Sequence, residues 1–143
     1  AYGELMSLMS VPDMLGEALM GVTESPFLIL MIMAVILIIS GMFLESIAQI
    51  ILLTPLMLPI VVGLDVDPIV FGILMVISCE IGFLTPPVGV NLFVAARITN
   101  LGVDRISIAV IPFLFAYILV LVIISAFPDI VTFLPNFFYG EYG

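Results

Sequence analysis

The stretch CEIGFLTPPVGVNLFV, residues 79–94, places two glycines, two adjacent prolines, a threonine and an asparagine within one apolar segment. Pro86 and Pro87 lack N–H groups, and each proline ring disfavours a helical conformation in the residue before it. A helix that only spans a membrane does not need this composition. The stretch therefore predicts that a helix unwinds near residues 82–89, either as a packing kink or to hold a ligand.

The whole chain is apolar enough to require a membrane. Its 143 residues are 64% hydrophobic and only 9% charged, which is too few charges for the polar surface of a soluble domain. Three uncharged runs, residues 25–44, 46–64 and 106–128, each reach a length that crosses the hydrocarbon core. Because these runs do not alternate apolar and polar side chains, we predict an all-α integral membrane protein.

The charge pattern argues against one class of partner and predicts an orientation. The net charge is −9, from 11 acidic and 2 basic residues, which argues against binding to nucleic acid. Both basic residues, Arg97 and Arg105, fall in one short segment, and cytoplasmic loops carry the excess of Lys and Arg. We therefore predict that the 97–105 loop is cytoplasmic and that the C-terminus lies on the outer face.

Prolines, glycines and charges divide the chain into five segments. Residues 1–25 mix Met and Leu with acidic residues, which is typical of an amphipathic helix at the membrane interface or of a connecting helix. Residues 68–97 hold the interrupted transmembrane helix, and residues 106–128 form the last transmembrane helix. Residues 129–143 are expected to form an outer C-terminal tail.

The remaining segment, residues 26–63, admits two interpretations. One continuous kinked helix would measure about 55 Å at 1.5 Å per residue, against a hydrocarbon core of about 30 Å. The turn-forming residues Gly41, Glu45 and Ser46 instead favour a re-entrant helical hairpin with its tip near residues 41–46. Such a tip is tolerated at membrane depth only where it lines protein or a cavity.

The two interruptions offer oxygen ligands for a small cation. An interrupted helix exposes unpaired carbonyls and two helix-dipole ends, which bind ions and carboxylates in secondary transporters. The carbonyls of residues 82–89, the Thr85 hydroxyl and the Asn91 amide form one oxygen-rich set, and the hairpin tip forms another. This pairing favours ion or substrate binding over a purely structural kink.

Two carboxylates at membrane depth leave several roles open. Inserting such a charge costs roughly 2.5–3.5 kcal/mol, so it marks function by default. Glu45 is a candidate to bind a cation, to cap the second hairpin arm or to face an aqueous cavity, whereas Glu80 has no favoured role. The chain has no histidine, no paired carboxylate motif and one cysteine, which argues against an enzyme and against a transition-metal site.

Three blocks of sequence resemble one known family. They are GMFLES (41–46), ILLTPLMLPIVVGLDVDPIVFGI (51–73) and IGFLTPPVGVNLFVAARI (81–98). They are similar to the large membrane subunit of TRAP transporters (tripartite ATP-independent periplasmic, DctM-like), and the resemblance covers residues 26–135. It implies that the chain is the second inverted repeat of an elevator-type transporter, with a re-entrant hairpin and a broken transmembrane helix.

The resemblance also implies a function and its partners. Such subunits import an organic acid anion together with sodium ions, across a bacterial or archaeal inner membrane. The implied partners are the first repeat of the same large subunit, a small membrane subunit, a periplasmic substrate-binding protein and the lipid bilayer. The implied substrate site has Thr85 and Asn91 at its edge. The implied sodium ligands are Gly41, Glu45, Ser46, Gly82, Thr85, Pro86 and Gly89.

The sequence leaves two other functions open. A structural scaffold subunit with kinked helices predicts that polar substitutions at the break alter stability and leave ion binding unchanged. A proton-coupled transporter would instead depend on Glu45 and Glu80. The chain begins with Ala1, and we expect it to be the C-terminal part of a longer polypeptide.

Overall fold

The computed structural model describes residues 10–140, and in this range every regular element is an α-helix, as the sequence predicted. The helices are α1 Val11–Val22, α2 Pro26–Gly41, α3 Ser46–Gly63, α4 Pro68–Leu84, α5 Val90–Thr99, α6 Val103–Ala126 and α7 Asp129–Tyr139. Two of these helices, α3 and α6, are long and apolar enough to cross a membrane, and α2, α4 and α5 are shorter apolar helices.

Helix α4 lies at the centre of the packing, because α2, α3, α5, α6 and α7 all contact it. It begins at Pro68, after Asp67 accepts a hydrogen bond from the Ile69 N–H at 2.8 Å, which is a typical N-cap. Its buried side chains recur at helical spacing and meet those of α2. The shared core of α2 and α4 contains Ile29, Leu30, Met33, Ala34, Leu37, Phe71, Leu74, Met75 and Cys79.

Helices α2 and α4 pack backbone against backbone at two glycines. A Cβ built on Gly82 would lie 2.7 Å from the carbonyl carbon of Gly41 and 2.8 Å from the carbonyl oxygen of Ile38. Real Cβ atoms do not come so close to other atoms, so any side chain at position 82 would push the two helices apart. Small residues are favoured where membrane helices pack closely, because lipid offers no hydrophobic drive for their association.

A turn of four residues, 42–45, connects α2 to α3. It is closed by backbone hydrogen bonds, because the Ser40 carbonyl accepts the N–H groups of Phe43 at 3.0 Å and Leu44 at 2.8 Å. The Gln49 side chain then crosses the turn and donates from Nε2 to the Leu37 carbonyl at 2.7 Å. The turn is therefore held at both of its ends, by α2 itself and by a side chain of α3.

The interruption between α4 and α5 is shorter than the predicted 82–89. Helix α4 continues to Leu84, so Gly82 is helical and only residues 85–89 are not. The reason is that the ring of Pro86 acts on its immediate predecessor, and Thr85 accordingly adopts φ −96° and ψ 122°. The residues before Thr85 meet no such restriction and stay in the helix.

The loop predicted at residues 97–105 covers only residues 100–102 in the structure. Helix α5 continues to Thr99 and α6 already begins at Val103, so both arginines lie on helices. Asn100 ends α5 in the left-handed conformation (φ 55°, ψ 25°), which asparagine tolerates as a helix terminator. Helix α6 therefore begins before the predicted 106–128 span, and it ends at Ala126 because Pro128 follows closely.

The structure adds detail to the predicted segments at both ends of the chain, residues 1–25 and 129–143. The predicted C-terminal tail, 129–143, contains α7 over Asp129–Tyr139, with Asp129 placed favourably in its first turn. Its apolar side chains share one exposed face, on which Phe133 and Phe137 stack with ring centroids 6.2 Å apart. Within the predicted 1–25 helix, α1 covers Val11–Val22, and residues 1–9 lie outside the described range.

The glycine contact generates a test of the fold. We expect Gly82→Ala to lower the free energy of unfolding by about 1–3 kcal/mol, because the added methyl overlaps the α2 backbone. Gly72→Ala on the same helix is the matched control, since nothing lies within 4 Å of its Cβ position. That change should be neutral or stabilising by up to about 1 kcal/mol. Thermal unfolding of the purified protein measures both, and equal effects would contradict the predicted overlap.

Candidate functional site

A cavity of about 350 Å³ opens between the α2–α3 turn and the interruption that follows α4. Residues of both segments line it, and most of them are apolar. The set contains one carboxylate, one amide and no basic side chain. The lining residues are Gly41, Met42, Phe43, Leu44, Glu45, Phe83, Val88, Val90 and Asn91.

Four helix ends meet at this cavity. Gly41 is the last residue of α2 and Phe83 lies in the last turn of α4, so two C-terminal ends reach the wall. Glu45 is the N-cap of α3 and Val90 is the first residue of α5, so two N-terminal ends reach it as well. Helix C-termini carry partial negative charge and N-termini partial positive charge. The cavity therefore offers polarity of both signs with a single ionisable side chain.

The proline pair releases a carbonyl at this wall. In an uninterrupted helix, the carbonyls of Gly82 and Phe83 would accept the N–H groups of Pro86 and Pro87, which do not exist. The Gly82 carbonyl instead accepts the Thr85 N–H at 3.2 Å. The Phe83 carbonyl accepts no hydrogen bond from a backbone N–H group in residues 10–140.

The interruption itself is a closed turn. The Thr85 carbonyl accepts the Gly89 N–H at 3.1 Å, and the Thr85 hydroxyl donates to the Ile81 carbonyl. Gly89 is buried, and a Cβ there would lie 2.9 Å from Cδ1 of Leu92 and 3.0 Å from the carbonyl oxygen of Phe83. Glycine at position 89 therefore lets the chain return against the carbonyl that the prolines release.

Glu45 and Asn91 line the same cavity from different elements. Both side chains are exposed, and both belong to the cavity wall. Although Glu45 occupies the N-cap position of α3, its carboxylate makes no capping hydrogen bond. The sequence left several roles open for Glu45. In the structure Glu45 does not cap α3 through its side chain, and it lies on the wall of a cavity.

The predicted site residues fall into two groups. Gly41, Glu45 and Asn91 line the cavity, and Gly82 packs against Gly41 from α4. The others lie at the start of α3 or in the interruption, outside the cavity wall, and Pro86 is exposed. This second group consists of Ser46, Thr85, Pro86 and Gly89.

Sequence reasoning included the Phe83 carbonyl only as one of the carbonyls of residues 82–89, and it missed Gln49. Pro87 indicated the Phe83 carbonyl, because the carbonyl four positions before a proline loses its helical donor. Gln49 was indicated by its chemistry, because it is an uncharged amide within the apolar arm of residues 47–62. It is fully buried, and its Oε1 accepts no hydrogen bond from the described residues.

The donor set suits a hard cation. Residues 10–140 contain no cluster of three or more His, Cys, Asp or Glu side chains that could hold a metal ion. The available ligands are carbonyl and hydroxyl oxygens and the Glu45 carboxylate, and oxygen ligands of this kind suit hard cations. The chemistry of the two turns is therefore compatible with Na⁺.

The sequence matches a known family over most of its length. Residues 1–130 match the family model described as the tripartite ATP-independent periplasmic transporter, DctM component. The chain belongs to this family. The predicted resemblance is thereby confirmed, and together with the apolar helices it makes this DctM chain part of a multi-pass inner-membrane protein.

Curated relatives of this chain include transporters that are named for different substrates. It is 42% identical over 139 residues to the isethionate TRAP transporter permease protein DctMQ of Oleidesulfovibrio alaskensis, covering 97% of this chain and 21% of the relative. The chain is 35% identical to the sialic acid TRAP transporter permease protein SiaT of Haemophilus influenzae, and the match covers 94% of this chain and 22% of the relative. It is 36% identical to the C4-dicarboxylate TRAP transporter large permease protein DctM of Rhodobacter capsulatus, and the match covers 94% of this chain and 31% of the relative. The chain thus spans less than a third of these relatives' length.

The shared cavity predicts a cross-link. Glu45→Cys combined with Asn91→Cys should be joined by a short bifunctional thiol reagent, because both positions line one cavity. Cys79, which is only 2% exposed, should not react. Glu45→Cys with Ile98→Cys is the control, since Ile98 lies on the same helix about 10 Å further along. Mass spectrometry of linked peptides measures both pairs, and equal linking would contradict the cavity.

Proposed function

We propose that this chain forms part of the large permease subunit of a sodium-coupled secondary transporter, which imports an organic acid anion. The observation that carries the proposal is the convergence of four helix ends on one cavity, beside the released Phe83 carbonyl. Interrupted helices use such ends to bind coupling ions and carboxylates. Membership of the DctM family supports the transporter class, and the site chemistry supports sodium as the coupling ion.

The proposed sodium ligands come from both turns. The C-terminal ends of α2 and α4 direct partial negative charge at the cavity, and Glu45 adds a full negative charge. The Thr85 hydroxyl donates its proton to Ile81, which leaves lone pairs on Oγ1 that a cation can use. A cation at this position would join the α2–α3 turn to the interruption, with Gly41, Ser46, Gly82, Pro86 and Gly89 shaping the two turns.

The proposed anion site depends on that cation. No basic side chain lines the cavity, and the Glu45 carboxylate repels an organic anion. Attraction must therefore come from the N-terminal ends of α3 and α5, from the Asn91 amide and from bound sodium. The relatives are named for isethionate, sialic acid and C4-dicarboxylates, which are all organic anions, and this supports an organic acid here too.

We propose an elevator movement of the hairpin and the broken helix as one body. The tight backbone contact between Gly41 and Gly82 supports this, since two elements packed so closely move together more easily than apart. The driving force has a known scale. Each net positive charge that enters at 100 mV contributes about 2.3 kcal/mol, or roughly fifty-fold accumulation, to which a sodium gradient adds.

The proposed assembly contains more than this chain. Family membership supports a small membrane subunit and a periplasmic substrate-binding protein as partners. The first repeat of the same large subunit would complete the transport domain within the lipid bilayer. We place the short 100–102 connection and its flanking arginines in the cytoplasm and the C-terminus in the periplasm, following the distribution of basic residues.

Uptake into proteoliposomes tests sodium coupling. The complete permease, its small subunit and the binding protein are reconstituted, and uptake is measured with and without an inward sodium gradient. We expect Thr85→Val to raise the sodium concentration for half-maximal uptake roughly three- to tenfold, because one oxygen ligand is lost. Thr99→Val is the matched control, since its hydroxyl makes the same type of bond, to the Ala95 carbonyl at 2.7 Å, away from the cavity.

Each outcome separates the competing functions. Sodium-dependent uptake that shifts in Thr85→Val and not in Thr99→Val supports the proposed site. Uptake that follows a proton gradient and is indifferent to sodium would favour proton coupling through Glu45 or Glu80. Uptake insensitive to every substitution at the interruption, with altered stability only, would favour a structural scaffold.

A further inference from the structure

Gln49 is a buried amide behind the cavity-lining turn. It lies in the first turn of α3, is 0% exposed, and donates from Nε2 to the Leu37 carbonyl in the last part of α2 at 2.7 Å. Apart from the contact of Thr54 with Sδ of Met75, it makes the only side-chain hydrogen bond between two helices in residues 10–140. Its bond therefore links the two helices that carry the turn 42–45.

Stability alone does not account for an amide at this position. The Gln49 Oε1 atom is buried without a hydrogen-bond partner in the described residues, which is an unfavourable state for a polar atom. The Leu37 carbonyl has a second donor, the Ser40 hydroxyl at 3.0 Å, so it does not need Gln49 to be satisfied. An apolar side chain of similar volume would fill the site without an orphaned oxygen.

The position of Gln49 connects it to the proposed cation site. A Cβ built on Gly41 would lie 3.1 Å from Oε1 of Gln49 and 3.4 Å from the carbonyl oxygen of Cys79. Gly41 lines the cavity and packs against Gly82, so the amide touches the point where the turn, α2 and α4 meet. Any movement of α3 relative to α2 at this bond would displace the turn 42–45.

We propose that Gln49 is a positioning residue that fixes the turn 42–45 for cation binding. The inference rests on the proposed sodium coupling. The amide does not touch the ion, and it acts by holding the two ends of the turn at a set separation. Small displacements of ligands weaken binding strongly. Loss of the bond therefore lowers sodium affinity and leaves the transport step at saturating sodium intact.

The test compares two donors to the same carbonyl in the reconstituted complete permease with its partners. Gln49→Met keeps the volume and removes the bridge between α2 and α3. We expect it to raise the half-saturating sodium concentration roughly two- to tenfold, with the maximal uptake rate within about twofold of wild type. Ser40→Ala removes a donor that stays within one turn of α2, and it should leave the sodium requirement unchanged.

A second readout separates positioning from folding. The midpoint of thermal unfolding, Tm, is measured for the purified permease with and without NaCl. Gln49→Met should unfold within about 4 °C of wild type without sodium, and it should need more NaCl to reach the same rise in Tm. Gln49→Leu serves as a second apolar variant if the methionine variant is not recovered.

The outcomes distinguish this proposal from the proposed function. If wild type shows no sodium dependence in uptake or in Tm, the proposed sodium coupling fails, and the role of Gln49 fails with it. If wild type depends on sodium and the apolar variants match its half-saturation, only the role of Gln49 is overturned. A lower Tm with unchanged sodium affinity, or an equal shift in Ser40→Ala, also overturns it.

Discussion

The structure depends on the rule that a polypeptide in lipid must satisfy its own backbone hydrogen bonds. Pro86 and Pro87 remove two donors from one helix in succession, and the carbonyls that lose them must find other partners or remain free. Gly82 finds one in the Thr85 N–H, whereas the Phe83 carbonyl finds no backbone N–H in the described residues. An unpaired carbonyl is tolerated in a membrane only beside protein or a cavity, and a cavity lies there. The local chemistry of two prolines thus requires a partner structure, which the α2–α3 turn supplies.

The second constraint is steric and concerns how close that partner comes. Gly41 and Gly82 let the backbones of α2 and α4 touch, so the turn and the interruption share one wall. A side chain at position 82 would overlap the α2 backbone and push the two helix ends apart. The same contact holds α2 and α4 closely together, which is the arrangement that the proposed elevator movement requires. The two glycines therefore determine both the close packing of α2 against α4 and the position of the turn beside the interruption.

Much of the organisation was predictable from local signals. Length, composition and proline positions predicted an all-α membrane protein with its interruptions near residues 41–46 and 82–89. The family followed from the blocks around those interruptions. Boundaries were less accurate, because the predicted break included Gly82, which remains helical, and the predicted C-terminal tail contains α7. The break is shorter than predicted because a proline ring restricts only the residue before it, so Gly82 meets no restriction and stays in the helix.

The sequence by itself determined the helical class, the membrane setting and the presence of oxygen-rich turns, because these follow from hydropathy, the missing N–H groups of proline and the flexibility of glycine. Only the tertiary structure decided which residues meet. It placed Glu45 and Asn91 on one cavity, left Thr85 in an adjoining turn, and revealed the bridge from Gln49 to Leu37. Such contacts join residues on different helices, and no local pattern specifies them, since they depend on how closely and at which face two helices pack.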